Sequence, residues 1–170
     1  MEDLKIHYFP DKVLRQKTEK IVRIDNTVRE LSEKMLGIMT EASGIGLAAN
    51  QVGKLLRIAV IGNLPDILEE PLILINPEIN DSEGWTTQDE GCLSFPGVST
   101  AVRRRVKICA TFWNLEEEEM KIEARGFLAR AIQHELDHLD GILYPDHLSF
   151  LSRQLLLQRY RNRKKKAPSF

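Results

Sequence analysis

The chain has 170 residues, 42% of them hydrophobic, with 24 basic and 25 acidic side chains and a formal net charge of -1. That length suits one domain with its own core, and the near-neutral balance excludes a global field for nucleic acid, so no DNA partner is expected. Two cysteines give no disulfide framework and fit a reducing, cytosolic compartment, and the start MEDLKIHYF shows neither a signal peptide nor a membrane span.

Along the chain, residues 26–41 (NTVRELSEKMLGIMTE) carry apolar side chains at Val28, Leu31, Met35, Leu36 and Met39, the spacing of an amphipathic helix. GIGLAANQVG, from Gly44 to Gly53, then reads as a helix end and a tight turn. Gly44 and Gly46 allow close approaches that other residues resist, and Gln51 offers an amide donor. It is not a phosphate loop, for it has neither G-K-[ST] nor G-x-G-x-x-G. The runs LRIAVIG, PLILINPEI, RVKICATFWN and EMKIEARG read as strands, the last two forming a hairpin through the acidic stretch Glu116 to Glu119. Between the second and third of these runs lies DEGCLSFPG, Asp89 to Gly97, a strand or loop closed by a Pro-Gly turn. A lone cysteine is most often a small hydrophobe; Cys109 fits that description, whereas Cys92, beside Glu90 and Gly91, fits it less well.

The next segment, Gly126 to Leu139, contains HELDHLDG. On a helix, positions four apart share a face, so His134 and His138 can hold one metal ion with Glu135 offset beside them. Leu128, Ile132, Leu136 and Leu139 gather on the opposite flank, which describes a helix packed inside the domain with its histidines toward a cleft. Burying two histidines and a glutamate without partners would cost several kcal/mol, and a metal offsets that cost. A catalytic site typically has three protein ligands and one open position. No downstream histidine stands at the H-E-x-x-H-x-x-G-x-x-H spacing, so Cys92 is the better third candidate. A further helix is expected from Ser149 through FLSRQLLLQRYRNR, followed by RKKK and APSF. His7 and His147 read as surface or loop histidines. The expected fold is α+β: mostly antiparallel strands packed around a central metal-binding helix, with a further N-terminal and a C-terminal helix. Residues 1–150 form the metallohydrolase domain and 151–170 a C-terminal extension with a basic tail.

Taken together, GIGLAANQVG, EGCLS and QHELDHLDG resemble the three motifs of the peptide deformylases, in order and at similar spacing; YFPDKVLR, LILINPEI and GILYPDHLS extend the likeness over roughly residues 5–150. The resemblance implies one divalent metal held by Cys92, His134 and His138, with water as the fourth ligand. It implies Glu135 as general base and acid, and Gln51 with the Leu93 N–H as oxyanion donors. The reaction it implies is removal of formate from an N-formylmethionyl peptide. Iron(II) is the ion it favours, with zinc, nickel or cobalt compatible with the same ligands. Gly44, Gly46 and the two alanines after Leu47 would keep the cleft narrow enough for a formyl group, and Ile45 would line the methionine pocket. Backbone groups of the first two motifs, Gly91 among them, would pair with the peptide like an added strand. Glu90, a lining residue of the same motif, would pair with Arg104. Arg130, one turn before His134, stands on the metal-facing side; it can lay its stem along an apolar wall, narrow the pocket, or favour substrates with acidic groups beyond the methionine.

The basic tail suggests contact with ribosomal RNA phosphates, set against a solvated, frayed end, and the setting expected is a bacterial-type cytoplasm. Two rival functions use the same helix: an endopeptidase, which needs an open groove, and an interaction protein with the metal as a staple, which needs neither Glu135 nor Gln51.

Overall fold

The computed structural model describes residues 4–166, and of residues 164–166 the backbone only. Five strands form one sheet in the order β1 (Gly46–Ala48), β2 (Ile58–Ile61), β3 (Leu72–Gly91), β4 (Ser99–Trp113) and β5 (Glu119–Arg125). Every neighbouring pair is antiparallel. Three α-helices accompany it: α1 (Asn26–Glu41), α2 (Gly126–Leu139) and α3 (Phe150–Lys166). The α+β arrangement read from the sequence is the one observed, with α1 and α2 matching their expected bounds.

α1 begins where the Asp25 carboxylate accepts from the Val28 N–H at 3.1 Å, a helix N-cap. Val28, Leu31, Met35 and Met39 are its buried stripe. The alternation of β1 and β2 divides the core between the two helices. Leu47, Ile58 and Val60 face α1, while Ala48, Ala59 and Ile61 face α2, where Leu128, Ile132, Leu136 and Leu139 are buried against them. Small side chains on the α2 side bring that helix close to the sheet.

Three elements differ from the sequence reading. GIGLAANQVG contains strand β1 and a 3-10 turn, Ala49–Val52, closed by Gly53 at φ 77, a conformation that favours glycine. β3 runs 20 residues, far past PLILINPEI, because its polar half pairs with β4, which itself begins at Ser99. The ladder shifts register between Ile75 and Glu78, where Asn76 has φ 51 and its side chain exchanges hydrogen bonds with the Ile21 backbone, at 2.8 Å and 2.7 Å. The β4–β5 hairpin closes as expected: Asn114 Oδ1 accepts from the N–H groups of Glu116 and Glu118 at 3.0 Å and 2.9 Å.

α3 is docked on the body by Leu156, Leu157 and Tyr160, in a cluster with Leu14, Phe95 and Tyr144. Phe95 stacks on Phe9 with centroids 4.9 Å apart, and the Tyr160 hydroxyl donates to the Phe9 carbonyl at 2.9 Å. This cluster underlies the loop that follows β3 and carries Cys92.

Candidate metal centre

α2 presents His134, Glu135 and His138 from one side while its leucines fill the core; the three are 9%, 4% and 1% exposed. Cys92, half-buried, follows the last residue of β3. One ligand atom from each of Cys92, His134 and His138 lies within 4.8 Å of the others, and Cys92 Sγ is 3.2 Å from His138 Nε2. The ring of His134 is oriented from behind: its Nδ1 lies 3.0 Å from Glu90 Oε2, leaving Nε2 for the Cys92 side. A carboxylate behind a histidine is a common support in metal sites, fixing tautomer and ring plane.

Glu90 is held in turn by a two-pronged pair with Arg104, Nε to Oε1 at 2.8 Å and Nη2 to Oε2 at 3.0 Å. Burial works against the Glu90 carboxylate, but the hydrogen bonds of His134 and Arg104 overcome it and hold its pKa at about 2. Arg104 Nη1 reaches Asp137 Oδ2 at 2.5 Å, and the same oxygen is 2.6 Å from His147 Nε2. A chain of charge-assisted contacts therefore runs from His134 to the surface. The far end of α2 is tied down as well. Asn50 Nδ2 donates to the His138 carbonyl, and the Thr18 hydroxyl donates to the Leu139 carbonyl at 2.9 Å.

Gln51, 1% exposed, is fixed by both ends of its amide. Oε1 accepts from the Ala48 N–H at 2.8 Å, and Nε2 lies 3.1 Å from Ser94 Oγ and 3.5 Å from Cys92 Sγ. Its donor end is therefore beside the ligand cluster. Burial pushes the Glu135 carboxyl up to about 7, and Glu135 Oε2 has no hydrogen-bond partner. Gly46 makes the room for this side chain: a Cβ there would stand 2.5 Å from Glu135 Oε1. His138 Nδ1 is also buried without a partner, and burial, with the neighbouring His134, pushes that ring's pKa well down. Burial works the same way on His134, but its bonds with Cys92 and Glu90 outweigh it and raise that ring's pKa well above the usual value, so a metal binding there would displace a proton.

The donor set fits a single divalent ion. One sulfur and two nitrogens converge from two segments, the number that leaves an open position, and a carboxylate oxygen free of partners stands beside them. The cleft over this cluster has a volume of about 500 Å³ and is lined by Gly44, Ile45, Gly46, Gly91 and Arg130, with Glu90 behind them. Ile45 is 44% exposed to it. Arg130 donates to Gln88 Oε1 and carries its guanidinium 5.0 Å from the Phe127 ring centroid, so it folds along the rim. Leu93 touches Gly44, where a Cβ would meet Leu93 Cδ1 at 2.6 Å.

The sequence reading brought the ligands and Glu135 forward but passed over several supports: Asp137, Ser94, Asn50 and the ring of Tyr144, 6.1 Å from that of His134. His147 is on the surface as expected, yet it joins the Arg104–Asp137 contacts. Asp137 had a local signal, since it sits inside HELDHLDG one helical turn after Gln133; Ser94 and Asn50 had none beyond lying next to assigned residues.

A family model described as polypeptide deformylase matches residues 3–154. The chain is 45% identical over 165 residues to a peptide deformylase of Thermodesulfovibrio yellowstonii, covering 96% of this chain and 100% of that protein. It is 43% identical to one of Aquifex aeolicus, covering 89% and 91%. Among solved structures, a peptide deformylase from Ehrlichia chaffeensis superposes with a TM-score of 0.90 at 31% identity over 96% of this chain and 98% of that one. One from Synechococcus elongatus in complex with actinonin gives 0.85 at 39% identity over 93% and 86%.

Proposed function

The chain belongs to the polypeptide deformylase family, and from that premise we infer that it hydrolyses the formamide of N-terminal formylmethionine on newly made polypeptides, releasing formate. The observation that carries the reading is Glu135: a buried carboxyl with one oxygen unpartnered beside the convergent donors of Cys92, His134 and His138. Cys92, His134 and His138 would hold the ion, which we assign as iron(II) in the cell, with zinc, nickel or cobalt able to replace it. Bound there, it supplies Lewis acidity that brings the pKa of water toward about 7.

The chain's own residues do the rest. Glu135 Oε2 accepts the proton of the attacking water and returns it to the leaving amine nitrogen. Gln51 Nε2 and the Leu93 N–H donate to the oxygen on which charge develops. Gln51 is preorganised for this because Ala48 N–H occupies its other end. Gly44 and Gly46 stand in the wall of the cleft that would take the formyl group, Ile45 offers apolar surface to the methionine, and Gly91 presents backbone to the extended peptide. Glu90 acts through His134, with Arg104 neutralising it. Arg130, at the rim, bears on residues after the methionine. An endopeptidase reading is weaker, because the family that the chain matches is polypeptide deformylase.

The decisive experiment is anaerobic purification, metal analysis, and formate release from formyl-Met-Ala-Ser by wild type and Glu135→Gln. Rapid release in the wild type, and metal retained with turnover lost in the variant, is expected. Metal bound without release from iron-loaded protein would sink the assignment.

The same reading places the protein in a bacterial-type cytoplasm; no helix among the described residues is long and apolar enough to cross a membrane. Contact of the basic tail with ribosomal RNA is its furthest extension. Arg163 donates to the Gly97 carbonyl at 2.6 Å, so its charge is held against the Cys92 loop, while the side chains of Lys164 to Lys166, and APSF after them, lie outside the described residues. Unchanged ribosome binding at low salt after deletion of residues 161–170 would remove that extension.

A further inference from the structure

A second groove, about 640 Å³ in volume, lies away from the metal cleft, between the segment around Lys17, the β3–β4 hairpin and the end of α2. Its lining is charged. Glu78, Asp137 and Asp140 are its acids, and each is already engaged: Glu78 by Lys20, Asp137 by Arg104, Asp140 by Arg57 and Lys17. Arg103 and Arg105 also line it, and neither has a carboxylate within ion-pair distance among the described residues. Both lie against Trp85 instead, with guanidinium carbons 4.5 Å and 3.8 Å from the indole ring centroid. The register explains the meeting: Trp85 pairs with Arg105, and Arg103 is two residues along the same strand, so all three side chains leave one face of the sheet.

Cation–π attraction accounts for the stack, but it leaves the guanidinium donors unneutralised and the indole 51% exposed. Unneutralised planar cations on a half-exposed indole match two features of one ligand class. Phosphates answer the cations, and a base answers the π surface. An acidic peptide would answer only the first.

We propose that this groove binds single-stranded RNA, its phosphates on Arg103 and Arg105 and a base against Trp85 and its guanidinium neighbours. The choice of RNA as the polynucleotide rests on the nascent-chain reading above; the groove itself does not depend on the metal cleft.

The test uses the full-length, metal-loaded protein and a fluorescein-labelled single-stranded RNA of about 12 nucleotides, within the site size of such surfaces. Binding is followed by fluorescence anisotropy between about 50 and 200 mM salt, with labelled polyglutamate of equal charge as the comparison. RNA should bind at least about tenfold more tightly than polyglutamate. Trp85→Ala should weaken it by on the order of tenfold, and Trp85→Phe should recover most of that loss. The double variant Arg103→Gln/Arg105→Gln should lower the slope of log K against log salt by about 1.4, from about 0.7 per phosphate contact. Formate release from formyl-Met-Ala-Ser, unchanged in these variants, reports that they are folded. Absent RNA binding, polyglutamate bound as tightly, or RNA binding that ignores the substitutions at positions 85, 103 and 105 and vanishes only with the basic tail would each overturn the proposal.

Discussion

Gly46→Ala is the substitution that most directly tests how the sheet positions Glu135. A Cβ at position 46 would stand 2.5 Å from Glu135 Oε1, 2.8 Å from Cδ and 2.9 Å from Cγ, where ordinary contact begins at 3.4 Å. The carboxylate therefore has to retreat by about 0.9 Å, and with only 4% of Glu135 exposed a close-packed interior offers it little room. A displacement of about 1 Å at a reacting group costs on the order of a hundredfold in rate, or about 2.7 kcal/mol of transition-state stabilisation. The ligands are untouched, so metal content should stay at the wild-type level. Overpacking should also lower unfolding free energy by about 1 to 3 kcal/mol. Gly44→Ala is the milder comparison: its Cβ would meet Leu93 Cδ1 at 2.6 Å, the end of a flexible, partly exposed side chain that can swing aside, and Met39 Cγ at 3.3 Å, and neither atom belongs to Glu135, so its rate loss should be smaller than that of Gly46→Ala. The assay is steady-state formate release with metal analysis on the same preparations. Gly46→Ala with kcat/KM within about threefold of wild type and a normal metal content would refute the placement of Glu135 against β1.

Other outcomes follow from the supporting contacts. Arg104→Met leaves Glu90, 5% exposed, as a buried charge with one partner fewer, and should cost about 3 to 5 kcal/mol in urea unfolding; a loss below 1 kcal/mol would mean the pair behaves as a solvated one. Glu90 has its carboxyl held at about 2 in the fold against about 4.5 unfolded. A depressed pKa contributes stability above the unfolded value and loses it as pH falls, so about 3 kcal/mol should disappear between pH 4.5 and pH 2. Unfolding of Glu90→Gln over the same range should lack that part. Chelation should abolish formate release and lower the melting temperature, since an ion bound to the native state alone stabilises it by mass action. Recovery of both on adding iron(II) without oxygen is expected, and a melting temperature indifferent to chelator would argue against a native-state site. Tyr160→Phe removes the bond to the Phe9 carbonyl and should cost about 1 kcal/mol, read by thermal unfolding.

Much of the centre was legible locally. The bounds of α2, its leucine flank and the shared face of His134 and His138 all follow from a period of 3.6, a property of the chain over a dozen residues. α1 was legible for the same reason. Cys92 was singled out by its neighbours and by the lack of a downstream histidine. Resemblance of three motifs added the roles of Cys92 and Gln51 and the Glu90–Arg104 pair, which periodicity could not supply because each joins segments far apart; Cys92 and His138 are separated by 46 positions.

The remainder depended on packing. The polar half of β3 has no buried face to mark it as strand, and its conformation comes from backbone pairing with β4 across a hairpin. GIGLAANQVG offered glycines and a plausible turn, but only the stacking of β1 over α2 reveals that Gly46 is small because Glu135 occupies the space its side chain would fill. His147 read as a surface or loop histidine and Asp137 was passed over, and both became parts of a charged chain when Arg104 was brought between them. The chain's periodicity alone puts His134, Glu135 and His138 on one side of one helix, since that is a short-range fact. Tertiary structure decided how Glu135 is desolvated, how Gln51 is aimed and how His134 is braced, because each needs close contact between atoms that the chain alone leaves tens of residues apart.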